Sequence, residues 1–181
     1  MVDRAGYFVD GDTVTRSLVK IGWSLGWDRE AKIIYTAELH KALSTSIRDA
    51  GKMLEVTTAC VSDYGKACSP FYIETPHDMM MEDFFPSCDD GELIKYDRFV
   101  WPSQMREMAF AHMYCKYGQH LLPILREFDV FTDIFYNPTK EGALTQALPC
   151  AMLKLMDQRG ELDCVNSTAK FIYWCRDHIR R

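Results

Sequence analysis

Glycines next to acidic residues recur along this chain at a fixed interval, and that spacing constrains the fold more than any other feature of the sequence. Asp10-Gly11, the Gly51 that follows Asp49, and Asp90-Gly91 place glycine 40 residues apart at positions 11, 51 and 91. Two residues after each glycine comes Thr13, Met53 or Leu93. A period of this size matches one supersecondary unit, which is the first thing such a repeat implies. The flanking stretches carry helical spacing. Leu18, Ile21 and Leu25 recur before Gly26, and Ile33, Ile34, Ala37, Leu39 and Leu43 recur between Arg29 and Thr45. Gly142 adds a fourth unit outside the period, with Asn137, Thr139 and Glu141 before it and Leu144 after it. The expectation is a mainly α fold of paired helix–loop–helix units with degenerate loops.

In a calcium-binding loop of this kind, oxygen ligands fill positions 1, 3, 5 and 12, and glycine at position 6 makes the turn. With Gly91 sixth, those positions hold Pro86, Cys88, Asp90 and Asp97, which supply only two carboxylates. The loop at Gly11 places Gly6, Phe8, Asp10 and Ser17 there, and the loop at Gly51 places Ser46, Arg48, Ala50 and Thr57. The loop at Gly142 offers Asn137, Thr139 and Glu141 but ends on Leu148. A hard cation needs about six to eight oxygens, so calcium binding at regulatory concentrations is not expected.

Leu18-x-x-Ile21-Gly22-x-x-Leu25-Gly26 followed by Asp28-Arg29-Glu30-Ala31 resembles the helix that leaves a loop in the EF-hand proteins of the calmodulin and myosin light chain type. The resemblance implies two lobes, residues 1–61 and 86–181, joined by a connector over residues 62–85. It also implies a calcium-independent structural or scaffold subunit that clamps an amphipathic, basic helix of a larger complex. A second stretch, Leu43-x-x-x-Ile47-Arg48-Asp49-Ala50-Gly51-Lys52, is similar to the death-motif helix of the B-cell-lymphoma apoptosis regulators. That likeness implies, as the alternative, a divergent helix-groove binding protein. Lys52 stands where that family has aspartate, and the family's Asn-Trp-Gly-Arg signature is missing.

Methionine supplies the expected groove. Met79, Met80, Met81, Met105, Met108, Met113, Met152 and Met156, with Trp23 and Trp101, are candidate partner-binding residues, because a flexible thioether adapts to varied apolar anchors. The competing role for the same side chains is to fill the core. Asp28 is placed to cap the helix that follows it. Phe171, Trp174, Cys175 and His178 fall on one stripe of a final helix from Ser167 to Ile179.

Composition narrows the remaining classes. The net charge of −5 disfavours nucleic acid as a partner. Seven cysteines without a CxxC pair fit a cytoplasmic or other reducing compartment. No stretch approaches the ~20 apolar residues that a membrane span needs. His112, Cys115, His120, Cys164, Cys175 and His178 include zinc-type ligands but lack the usual close pairs. No phosphate-binding glycine loop or nucleophile elbow is present in the sequence. Neither cofactor nor catalysis is expected, although an enzyme whose site is not locally patterned is the further alternative.

Overall fold

The computed structural model describes residues 1–23, 26, 28–57, 62–75, 80–81, 94–96, 99–140 and 143–180. It opens with a β-hairpin. Strands β1 (Val2–Asp10) and β2 (Thr13–Ile21) pair antiparallel from Val2 opposite Ile21 to Asp10 opposite Thr13. Gly11 begins the two-residue loop with φ 56°, a conformation that primed hairpin turns reserve for glycine. The Gly11-Asp12 pair, with glycine at the first central position, is therefore a hairpin signal. The helical spacing of Leu18, Ile21 and Leu25 misleads because Leu18 is 52% exposed and Ile21 buried, so the two share no apolar face.

A sheet with strand order β2-β1-β6-β3 follows from this hairpin. Strand β3 (Met53–Glu55) runs parallel to β6 (Val130–Thr132), and β6 runs antiparallel to β1. A separate hairpin joins β4 (Ile94–Tyr96) to β5 (Phe99–Trp101). The fold is thus mixed α/β. The mainly α, EF-hand-like architecture expected from the glycine interval is overturned by the sheet, because two of its supposed calcium loops are turns at strand ends. Gly51 lies between a helix and β3 with φ 59°, and a Cβ there would run into the Asp129 carboxylate.

Helix α1 (Arg29–Ser46) starts as the sequence implies, with Asp28 Oδ1 accepting from the Ala31 amide at 2.8 Å. Its buried stripe is Ala31, Tyr35, Leu39 and Leu43, whereas Ile33 and Ile34 are exposed. This stripe packs with Ile21, Val130 and Ile134 on one face of the sheet. The other face, through Ala5, Tyr7, Leu54 and Phe131, meets the larger core. That core contains α3 (Arg106–Tyr117), α5 (Ala147–Arg159) and α6 (Thr168–His178). Alternating strand residues reach opposite layers, so the sheet is buried on both sides. Two short helices, α2 (Asp63–Ala67) and α4 (Leu122–Leu125), complete the described set.

Other expectations shift for local reasons. The apolar stretch after Gly118 forms α4 and then β6 rather than one long helix. Glu55 is the last residue of β3. Pro149 falls in the first turn of α5, which begins at Ala147, so no helical donor is lost there. The death-motif-like segment does not form one helix: α1 ends at Ser46, Asp49 and Gly51 both have positive φ, and β3 follows. Strands from either side of residues 62–85 pair within one sheet.

Candidate functional site

The parallel strands β3 and β6 end side by side, with Glu55 opposite Thr132. Space beyond the carboxyl ends of parallel strands is where α/β sheets place ligands, since the chains there diverge to their next elements. A cavity of about 250 Å³ opens at this point. Thr57 and Asp133, just past the two strand ends, are buried and line it together with Phe110 and Tyr136. Phe71, Phe135 and Gln146 are more exposed and stand at its rim. The Gln146 amide is oriented by a 2.9 Å hydrogen bond from Nε2 to the Val56 carbonyl, which leaves Oε1 as an acceptor.

Two carboxyl groups are buried behind this opening. Glu55 Oε1 accepts from the Ile134 amide at 3.0 Å and the Thr57 amide at 3.3 Å. Its Oε2 accepts from Thr132 Oγ1 at 2.7 Å, and the same hydroxyl lies 2.9 Å from His40 Nε2 on α1. Asp133 Oδ1 accepts from the Phe135 and Tyr136 amides at 3.0 and 3.1 Å, while Oδ2 accepts from Thr145 Oγ1 at 3.0 Å. Oδ1 is therefore saturated, and Oδ2 keeps one lone pair. The buried Thr57 hydroxyl stands beside Glu55 and favours its ionised form.

One cation faces both carboxyls. Arg4 on β1 is buried, donates from Nε to the Ile134 carbonyl at 2.6 Å, and lies 4.6 Å over the Trp23 ring. Trp23 in turn stacks on Tyr35 of α1, with ring centroids 3.9 Å apart. Burial nevertheless dominates the protonation of the acids. Desolvation, reinforced by the charge of Asp133, pushes the Glu55 carboxyl up to about 8. Desolvation also raises Asp133, to about 6, against its hydrogen bonds and the Arg4 charge. Burial lowers His40 to about 4, so that imidazole is neutral at neutral pH. Thr132 thus links the buried Glu55 carboxyl to the half-buried His40 ring through two hydrogen bonds.

The residues expected from the sequence lie elsewhere. Asp10 and Gly11 sit at the hairpin tip and Gly51 in the turn before β3. Asn137 makes a local turn, its side chain accepting from the Thr139 amide at 3.0 Å and the Thr139 hydroxyl at 2.7 Å. Asp90, Gly91, Asp97, Glu141, Gly142 and Met79 lie outside the described residues. Met81, Met113, Met152 and Met156 have no exposed side chain and pack in the core with Trp101. Met80, Met105, Met108 and Trp23 are half-buried. His112 Nε2 meets the Val165 carbonyl at 2.9 Å, and Cys115 is buried against Pro149. Among the described residues, no group of three His, Cys, Asp or Glu side chains is arranged to hold a metal ion.

The sequence does not single out Glu55, Asp133 or His40, and Thr57 enters there only as position 12 of the Gly51 loop. The available signal is β propensity: Met53-Leu54-Glu55-Val56-Thr57 and Val130-Phe131-Thr132 are short, rich in β-branched or aromatic residues, and each carries its acid at or just past the strand end. No helix among the described residues is long and apolar enough to cross a membrane. No protein-family model matches the chain, and no curated protein matches it.

Proposed function

We propose that this chain is an acid–base enzyme acting on a small molecule, with its centre at the Asp133–Glu55 pair. One observation carries the reading: two buried carboxyls, the charge of one acting on the other, stand at the carboxyl ends of parallel strands, one of them in the wall of a cavity. Groups whose environments push their proton affinities apart take complementary roles in proton transfer. Asp133 is ionised near neutral pH and faces the cavity, so it is the base that accepts a proton from a bound group or water. Glu55 still holds its proton there and is joined to His40 through Thr132. Arg4 holds the pair in register and limits the repulsion when both acids ionise.

A helix-clamping scaffold draws no support from this geometry, since the buried methionines contribute core packing and the two-lobed helical frame is absent. The test is conversion of a defined panel of small metabolites, followed by mass spectrometry, with wild type and D133N side by side. Turnover by wild type, reduced at least a hundredfold in folded D133N, is the expected result. The rate should peak between about pH 6 and 8, with Asp133 ionised and Glu55 protonated. Binding without conversion across the panel, or equal turnover by D133N, overturns the reading.

A further inference from the structure

Strand β2 forms one edge of the four-stranded sheet, and most of its outer side is unpaired among the described residues. We propose that this edge binds an extended acidic peptide of another protein by strand addition, the peptide backbone bonding to Arg16, Leu18 and Lys20. The surface is independent of the acid–base site at the ends of β3 and β6.

Register decides which backbone groups are available. Asp10 and Thr13 close a two-residue hairpin loop, so odd-numbered residues of β2 bond to β1. Even-numbered residues therefore turn their N–H and C=O outward. The chain's own C-terminal segment uses the first of them. The Val14 carbonyl accepts from the Arg180 amide at 3.0 Å, and Ile179 forms a single parallel bridge to Val14. Beyond that contact, Arg16, Leu18 and Lys20 offer three donors and three acceptors with no partner among the described residues. The strand is nine residues long, without proline and in unbroken register, so nothing in its backbone bars a further strand.

Side chains select the occupant. Arg16, Leu18 and Lys20 alternate onto one face, and Leu18 is 52% exposed. Neither cation forms an ion pair among the described residues, although Asp3 stands across from Lys20 on β1. A facing strand with an acid on each side of an apolar residue complements this order, because opposite charges and apolar pairs across strands both stabilise. A second copy of this chain does not. Two-fold antiparallel pairing centred on Leu18 sets Arg16 opposite Lys20, and centring on Ser17 or Val19 puts two Arg16 or two Lys20 side chains on one diagonal. The cations thus turn away a like strand and admit an acidic one.

The experiment titrates the full chain with two labelled heptapeptides by fluorescence anisotropy, Thr-Glu-Thr-Val-Thr-Glu-Thr and Thr-Lys-Thr-Val-Thr-Lys-Thr. The acidic peptide should bind at least tenfold more tightly, and the R16E/K20E double variant should reverse that order. Proline in place of the peptide's valine keeps the charge but removes a central donor, so binding should weaken at least fivefold. With acidic peptide bound, amide hydrogen exchange at Arg16, Leu18 and Lys20 should slow at least tenfold. Thr15, Ser17 and Val19, already bonded to β1, should not change. Equal binding of the two charged peptides, equal binding of the proline peptide, or protection that does not alternate overturns the inference. Dimerisation in sedimentation velocity, with the same alternating protection and no peptide present, also overturns it in favour of a second copy.

Discussion

Two clusters in this molecule contain the same chemical parts in opposite surroundings. At the exposed end of the hairpin, Arg159 meets Asp12 and Glu161, with His178 Nε2 3.9 Å from Glu161. Inside, Arg4 faces Glu55 and Asp133, with His40 reaching Glu55 through Thr132. In the outer cluster the Arg159 hydrogen bond pulls the Glu161 carboxyl below its usual range. In the inner cluster the same pairing of guanidinium and carboxylates is outweighed by desolvation, and both acids are raised. Water, more than the identity of the partner, decides which group keeps the proton. Only the inner cluster is poised to exchange one near neutral pH.

Removing the inner cation should have the largest effect. R4M leaves two buried acids without their counter-charge and should lose about 3–5 kcal/mol of stability in urea unfolding at neutral pH. The loss should be larger at pH 9, with both acids ionised, than at pH 5; an equal loss at both would show that Arg4 acts through packing on Trp23 alone.

Titration comes next. Both carboxyls bind protons more tightly in the folded chain than in the unfolded one. Their stabilisation is therefore full below the ordinary carboxylate range near 4 and is lost as pH rises through about 6 and about 8. His40 has the opposite sign. It is kept neutral by the fold, so it costs stability as pH falls below 6.5 toward about 4. The melting temperature should fall by several degrees between pH 6 and 9, and E55Q should flatten that slope. A slope unchanged in E55Q would mean that another group carries it.

Thr132→Val tests the link to His40 on a smaller scale. It removes the hydroxyl that joins His40 to Glu55 and should cost about 1–3 kcal/mol. In carbon NMR titrations it should also raise the Glu55 carboxyl further, since a hydrogen bond that favours the ionised form is gone. Arg159→Ala marks the small end of the comparison. Its ion pairs are solvated, and its urea midpoint should stay within error of wild type. A large loss there would show that the hairpin end depends on the outer cluster.

Legibility in the sequence follows the range of the forces involved. Helix α1 with its Asp28 cap and the Phe171–Trp174–Cys175 stripe of α6 are written in neighbouring residues, through a cap and a 3.6-residue period. These the chain determines locally. Strands β3 and β6 are only three residues each, too short for any period to show, and they exist because they pair with each other and β6 pairs with β1. Thr132 meets Glu55 across 77 residues of sequence, and Arg4 meets the Ile134 carbonyl across 130. The site depends on those long-range pairings, and so does its protonation, because a carboxyl's proton affinity is set by the water that tertiary packing excludes. The sequence alone determined where helices could start and stop. Tertiary structure decided that two unremarkable acids would share one dry compartment.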